Sequence, residues 1–406
     1  MDNFVFQNTT KIIFGRGTER KVGKEILPYS KDILLHYGGG SIKKTGLYDR
    51  VTQSLKDAGI RWVELSGVKP NPRLSLVREG IKLCKEEKLD FILAVGGGSA
   101  IDSSKAIAMG VLYEGNVWDI YAGKVNPKTA LPVGTVLTIP AAGSEASTAS
   151  VITNEDGWLK RGFNSEIIYP AFSILNPELA FTLPKYQVAS GSADILAHLM
   201  ERYFTNTQNV ELTDRMIEAI MVTLTHHVPR VLAQPDNYDS WAEIMWSGTV
   251  AHNNLMNTGR VGDWGSHDIE HELSAIYDVA HGAGLAVVFP AWMKYVYKHD
   301  VARFCQFAVR VWGVDPNFRS PEETALEGIS RLEKYFRSIG MPVTLKELGV
   351  PEDRLEEMAK KAVLTGGDGG SAAGADAGFS APVLQVLGYI TWIGYAVAII
   401  AIIALA

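Results

Sequence analysis

Phe91-Ile-Leu-Ala-Val-Gly-Gly-Gly-Ser-Ala-Ile-Asp102 is the stretch that decides the fold. The apolar run from Phe91 to Val95 reads as a buried strand. Gly96, Gly97, Gly98 and Ser99 then make a turn, and helical character follows to about Met109. Glycines let the backbone come close to a ligand, and free amides at a helix start attract phosphate. Ser99 and Asp102 also have the spacing of a capping box, so a tight, capped turn without a ligand is the plainer reading. The triplet is not the Gly-x-Gly-x-x-Gly fingerprint, and alone it is a weak signal.

Upstream, Asp32-Ile-Leu-Leu-His-Tyr37 reads as another strand, followed by Gly38, Gly39, Gly40 and Ser41. Arg61–Leu65 and Val133–Ile139 look like strands, and Leu74–Glu87 has helical apolar spacing. Alternation of strand and helix predicts an α/β N-terminal dinucleotide-binding domain over residues 1–183, with a Rossmann-like parallel sheet. Beyond Pro184 the pattern is helical only: Gln187–Thr205, Val210–Ala233, Tyr238–Met256, His267–Tyr277, Gly284–Lys298, Asp300–Val311, Pro321–Ile339 and Pro351–Val363. An all-α metal-binding domain over 184–365 is expected, on the evidence of its histidines.

Asp194 and His198 stand four apart, as do His267 and His271, and His281 follows. Residues four apart on a helix share one face. A buried carboxylate is costly unless paired or metal-bound, and a carboxylate with several imidazoles suits one divalent ion, Fe²⁺ or Zn²⁺. The five candidates exceed the four ligands of a tetrahedral site, and spacing does not choose between His267 and His271. His36, His226, His227, His252 and His299 have no such partner spacing and read as structural or exposed.

The second glycine run bears on the coenzyme. NAD sites commonly place an acid on the ribose 2′-OH, and NADP sites supply donors or cations instead. The strand ending in Tyr37-Gly38-Gly39 carries no acid there, and Ser41, Lys43 and Lys44 stand close by. NADP(H) is therefore expected over NAD(H); the competing reading is a surface basic pair. Thr138-Ile-Pro-Ala-Ala-Gly-Ser-Glu145 ends a strand with small and hydroxylic residues that can line a coenzyme pocket.

The remaining features set bounds. The length of 406 residues allows two domains. A net charge of −6 gives no basic face for nucleic acid. Cys84 and Cys305 are too few and too far apart for a disulfide framework. The start, Met1-Asp-Asn-Phe-Val-Phe, lacks the regions of a signal peptide, so a cytoplasmic location is expected. Residues 366–382 read as a Gly/Ala-rich linker. Residues 383–406 form an uncharged apolar tail, long enough to span a bilayer but without a basic flank. A buried helix, or a terminus foreign to the rest, competes with an anchor; membrane contact is expected only through this tail.

Gly96-Gly-Gly-Ser-x-x-Asp102, Gly143-Ser-Glu145, Asp194-x-x-x-His198, His267-x-x-x-His271 and His281-Gly-x-x-Leu285 together resemble the iron-containing (group III) alcohol dehydrogenases. The likeness is greatest to their NADPH-dependent butanol dehydrogenase and aldehyde reductase branch, over roughly residues 1–350. Asn3-Phe-Val-Phe, Lys11-Ile-Ile-Phe-Gly-Arg-Gly17 and the run from Tyr37 to Gly46 share it. The resemblance implies Asp194, His198, His267 and His281 as metal ligands, with His271 a neighbour that relays a proton. It implies Gly38, Gly39 and Ser41 at the adenosine end, and Gly96, Gly97, Gly98, Ser99 and Asp102 at the pyrophosphate. Thr138 and Ser144 would lie near the coenzyme and Lys160 near its nicotinamide end. The implied reaction is reversible hydride transfer between NADP(H) and a small primary alcohol or aldehyde, carried out by a homodimer. The chain departs from the family at Ala142, where Thr or Ser is usual, at Asn176, where Asp is common, and after about Thr365. Rival readings are a Zn- and NAD-dependent glycerol or polyol dehydrogenase, a dehydroquinate-synthase-like lyase, and a non-catalytic membrane-tethered metal- or nucleotide-binding protein.

Overall fold

Apolar runs that are hydrophobic on every residue, such as Phe91–Val95, can be satisfied only inside a sheet covered on both faces. The computed structural model, which describes residues 1–365 and 401–402, places that run at the centre of such a sheet. The strands are β1 (Lys11–Phe14), β2 (Asp32–Tyr37), β3 (Arg61–Leu65), β4 (Phe91–Gly96), β5 (Val133–Leu137), β6 (Ala149–Asn154), β7 (Leu159–Asn164) and β8 (Phe172–Leu175). Six of them form one parallel sheet in the order β1-β8-β5-β4-β2-β3. β6 and β7 form a separate antiparallel hairpin.

The period of two sorts the side chains between the faces. Ile33, Leu35, Tyr37, Phe91, Leu93 and Val95 face one core, shared with Leu47, Val51 and Leu55 of the Leu47–Asp57 helix. Leu34 and Ile92 face the other, shared with Leu74 and Val77 of the Leu74–Glu87 helix and with Ile107 of the Gly98–Leu112 helix. β2 and β4 are neighbours, yet the chain leaves β2 for β3 on one side and β4 for β5 on the other. That is the topological switch point, where open parallel sheets bind ligands beyond the carboxyl ends of their strands. Gly38 and Gly96 stand at those ends, next to the paired Tyr37 and Val95.

The strands and helices quoted from the apolar pattern recur closely. The Arg61–Leu65 strand and the Leu74–Glu87 helix keep the same ends, and the last strand stops at Leu137 instead of Ile139. The apolar pattern does not mark β1, β6, β7 and β8. β1 is only partly buried, and β6 and β7 mix small, polar and apolar residues, so neither shows a clean period.

The chain divides into two compact units that are not contiguous in sequence. Gln7–Leu183 joins Gln234–Asn253 in one; Met1–Phe6, Pro184–Ala233 and the described residues from Asn254 onward form the other. The Tyr238–His252 helix thus packs with the α/β unit. There Thr249 donates to the Glu145 carboxylate at 2.6 Å, and Trp246 meets Phe14 edge-on. The helical unit is built on the Lys185–Tyr203 helix, buried along most of its length, against the His281–Val296 helix. The linker at 366–382 and the apolar tail at 383–406 lie outside the described residues, apart from Ala401 and Ile402. Among the described residues no helix is long and apolar enough to cross a membrane.

Candidate active site

Three helices of the helical unit carry the metal candidates. Lys185–Tyr203 presents Asp194 and His198 one turn apart, both buried. Gly265–Tyr277 presents His267, also buried, and His271. That helix ends on Asp278 in the left-handed conformation (φ 53°), which turns the chain at once into the His281–Val296 helix, with His281 as its first residue. The crossing demands glycine at position 282, because a Cβ there would collide with the Ser190 carbonyl.

Ligand atoms of Asp194, His267 and His281 lie within 4.8 Å of one another. His281 Nε2 is 3.8 Å from Asp194 Oδ1. His198 stands beside this group: its ring centroid is 4.8 Å from that of His267, and its Nδ1 is 3.0 Å from the Asp194 carbonyl. His271 lies further out, 5.5 Å from His281 and 6.4 Å from His267 between ring centroids. Glu270, His271 and His281 make a second convergent group, in which His281 takes part in both. Trp264 walls the cluster, with its ring 5.0 Å from His267 and 6.0 Å from His198, and the Arg202 guanidinium 4.7 Å over it.

Two buried glutamates that the sequence reading passed over complete the arrangement. His267 Nδ1 and the His267 backbone N–H both meet Glu201 Oε1. His281 Nδ1 meets Glu270 Oε2, and Ser274 donates to the other oxygen of Glu270. Their signal was present: Glu201 lies three residues after His198 and Glu270 three after His267, each on a ligand-bearing helix.

These residues fit a divalent ion. The donor set is one carboxylate and imidazoles, which borderline metals prefer. Glu201, Glu270 and Glu272 are wholly buried and Asp263 nearly so. Burial pushes the Glu201 carboxyl well above its ordinary value, aided by Asp263 and Asp268, and burial lifts Asp263 to about 6. A bound cation offsets that cost of burying acids.

The coenzyme candidates lie in the α/β unit. Gly38 is partly buried, while Gly39 and Ser41 are exposed beyond β2, where the short Ser41–Lys44 helix begins. Gly96, Gly97, Gly98 and Ser99 are partly exposed beyond β4. A Cβ on Gly97 or Gly98 would come within 3.0 Å of Ile139 or Ala142, so the turn is packed as well as open. Thr138 follows β5 and donates its backbone N–H to Gly96 at 3.0 Å. Those three strand ends therefore adjoin.

The expected capping box does not form. The Gly98–Leu112 helix has Gly97 as its N-cap, without a side-chain cap. Asp102 instead turns toward the hairpin. Its carboxylate accepts from the Ser144 hydroxyl at 2.5 Å and from the Val151 N–H at 3.1 Å. Burial raises the Asp102 carboxyl, opposed by the Lys105 cation. Lys105, also buried, donates to the Ser144, Ser147 and Ala149 carbonyls and the Ser144 hydroxyl. Asp102 and Ser144 thus sit in an internal network that anchors β6. Lys160 is buried in β7, where its charge helps to lower Asp102. Asn176 caps the turn after β8 by accepting from the Glu178 N–H, and donates to Glu19 at 2.9 Å.

A family model described as iron-containing alcohol dehydrogenase matches residues 9–177. A second, described as the C-terminal part of the Fe-containing alcohol dehydrogenase family, matches residues 188–371. The chain is 45% identical over 366 residues to a Bacillus subtilis protein named probable NADH-dependent butanol dehydrogenase 1, covering 90% of this chain and 95% of that one. It is 36% identical over 364 residues to the Escherichia coli NADPH-dependent aldehyde reductase YqhD, covering 89% and 93%. A crystal structure of NADH-dependent butanol dehydrogenase A from Thermotoga maritima superposes with a TM-score of 0.90 at 42% identity, over 100% of this chain and 99% of that one.

Proposed function

The chain belongs to the iron-containing alcohol dehydrogenase family, and from that premise we propose that it is a metal-dependent NADP(H) alcohol dehydrogenase and aldehyde reductase for small primary alcohols and aldehydes of the butanol and butyraldehyde kind. Oxidoreduction of alcohols and aldehydes with a nicotinamide coenzyme comes with the family. The metal dependence, the coenzyme preference and the size of substrate are the proposal. The observation that carries it is the convergence of Asp194, His267 and His281 within 4.8 Å, with His198 alongside.

Asp194, His198, His267 and His281 would hold one Fe²⁺ or Zn²⁺. When bound, that ion supplies Lewis acidity toward the substrate oxygen, and the coenzyme supplies or takes the hydride. Trp264 and Arg202 close one side of the cluster. His271, less buried and close to His281, is placed to exchange a proton with solvent.

For the coenzyme, one acid that reaches the end of β2 is Glu64 on β3, and it is already engaged. Tyr37 and Tyr48 both donate to its carboxylate, and Lys43 lies 3.6 Å away. The space around Gly39 and Gly40 is open, and exposed Lys44 is near. These features favour a 2′-phosphate. The names of the relatives divide between NADH and NADPH. We also propose that two copies associate through the exposed apolar run Phe4-Val5-Phe6, of which Val5 is 94% exposed. Val5→Asp should then give a monomer in sedimentation.

The test is butyraldehyde reduction followed at the NADPH absorbance, before and after chelation and after return of Fe²⁺ or Zn²⁺, with NADH in parallel. Metal-restored turnover with a higher kcat/KM for NADPH is expected. Full activity in the chelated protein would overturn the metal reading, and a preference for NADH would overturn the coenzyme reading.

A further inference from the structure

We propose that Glu201 and Glu270 are the positioning carboxylates of the metal centre, each carried by one ligand-bearing helix and fixing the ligand histidine of the next. The inference rests on the metal reading above and adds what keeps the ligands in place.

The pairing runs in one direction. The Lys185–Tyr203 helix carries Asp194, His198 and then Glu201, and Glu201 holds His267 of the Gly265–Tyr277 helix. That helix carries Glu270 three residues after His267, and Glu270 holds His281 of the His281–Val296 helix. His198 is held within its own helix, through Nδ1 and the Asp194 carbonyl. Each imidazole therefore has Nδ1 engaged by an oxygen. A carboxylate or carbonyl oxygen that accepts from Nδ1–H keeps the proton on that nitrogen and leaves the lone pair on Nε2. For His281 that Nε2 is the atom facing Asp194. A carboxylate behind the ring also makes the imidazole a stronger donor to a cation.

The position of Glu270 is built into the backbone. A Cβ on residue 284 would lie 2.6 Å from Glu270 Oε1, so Gly284 leaves the room that its carboxylate occupies. Ser274, one turn further along, donates to the same oxygen. Both glutamates are wholly buried. A purely structural pair of buried acids would affect stability when altered and leave ion retention untouched; positioning carboxylates control retention.

The test uses the full-length protein loaded with Co²⁺, whose absorption reports its ligands, and with Zn²⁺ titrated against a competing chelator. Glu201→Gln and Glu270→Gln keep size and burial but remove the negative charge and turn one of the two acceptor oxygens into a donor NH2. Each should weaken Zn²⁺ binding by about 10- to 100-fold and shift the Co²⁺ bands, while far-UV dichroism stays that of the folded protein. Gly284→Ala, which keeps every charge and crowds Glu270, should weaken Zn²⁺ binding in the same direction. If the glutamine variants do not fold, Ser274→Ala serves instead, and a several-fold weakening is expected. Equal Zn²⁺ affinity in wild type and in the folded variants would overturn this inference alone. A wild-type protein that takes up neither ion would instead overturn the metal reading beneath it.

Discussion

His267 presents two donors to a single oxygen: its backbone N–H is 3.0 Å and its ring Nδ1 2.7 Å from Glu201 Oε1. The start of one ligand helix is thereby tied to the helix that carries Asp194 and His198, so ring and backbone of the same residue share one anchor. His267→Ala removes a candidate ligand and leaves the glycine turns of the other unit intact. The expected result is loss of bound metal and of butyraldehyde turnover, with NADPH binding retained in a fluorescence titration. Unchanged turnover would refute the ligand assignment.

His271 is the candidate proton carrier. It is less buried than His267 and its ring lies 6.4 Å from that of His267. General acid–base groups contribute about 10²- to 10⁴-fold in rate. His271→Ala should lower kcat by about 10²-fold while metal content stays at the wild-type level. A variant that loses metal in step with activity would make His271 a ligand instead.

Much of this was legible in the sequence because the physics is local. A strand buried on both faces must be apolar throughout, and Phe91–Val95 announces itself. Asp194 and His198 declare a shared face by their spacing. The unread parts depend on long-range partners. The Tyr238–His252 helix looks like any other in a helical run, and what assigns it to the α/β unit is Thr249 meeting Glu145, 104 residues away in the chain. Asp102 has the spacing of a cap, but Ser144 and Val151 draw its carboxylate elsewhere. Glu201 and Glu270 are easily passed over because a helical glutamate is normally solvated; their spacing puts them on the ligand-bearing faces, but the imidazoles they hold lie on the next helix. β1 and β8 pair with each other and are four residues long, too short for a period to show.

Gly39 offers a direct handle on coenzyme choice. A Cβ there meets nothing within 4 Å, and its φ lies outside the left-handed region, so a side chain is tolerated. Gly39→Asp places an acid beyond β2, where it can accept from a ribose hydroxyl and repel a 2′-phosphate. The kcat/KM for NADPH should fall by at least about tenfold, roughly 1.4 kcal/mol, with NADH unchanged or improved. Equal losses for both coenzymes would show that residue 39 does not face the adenosine ribose.

His36 gives the α/β unit an acid-sensitive point. It is fully buried in β2, with Nδ1 2.8 Å from the Leu65 carbonyl and Nε2 2.8 Å from the Ser103 hydroxyl. The carbonyl only accepts, so Nδ1 carries the proton and Nε2 accepts from Ser103. Burial lowers the imidazole to about 4, partly opposed by the Leu65 hydrogen bond. The unfolded chain therefore takes up this proton first, near pH 6.5. Stability linked to His36 is complete above that value and declines as pH falls toward 4, by about 3 kcal/mol in all. His36→Gln should flatten the dependence of the unfolding midpoint on pH between 6.5 and 4, even if it starts from a lower midpoint. An unaltered slope would place the acid sensitivity elsewhere.

Asp214 holds the helical unit together through charge. Arg260 reaches its Oδ1 at 2.6 Å, while Arg303 at 2.6 Å and Gln306 at 3.1 Å reach Oδ2. Burial disfavours the ionised carboxyl, but Gln306, Arg260 and Arg303 together outweigh it and hold the group below its ordinary value. Asp214→Asn keeps the shape, removes the charge and leaves the buried Arg260 without this counter-ion. Breaking a buried pair from one side costs about 3–5 kcal/mol, so a clear fall in the thermal midpoint at pH 7 is expected. Because the folded value is depressed, the wild-type advantage is fully present above the unfolded carboxyl value of about 3.9 and disappears as pH falls through the folded one. The gap between the two proteins should accordingly hold from pH 7 to about 5 and narrow below about 4; a gap that already closes between pH 7 and 5 would mean that another titrating group carries the effect.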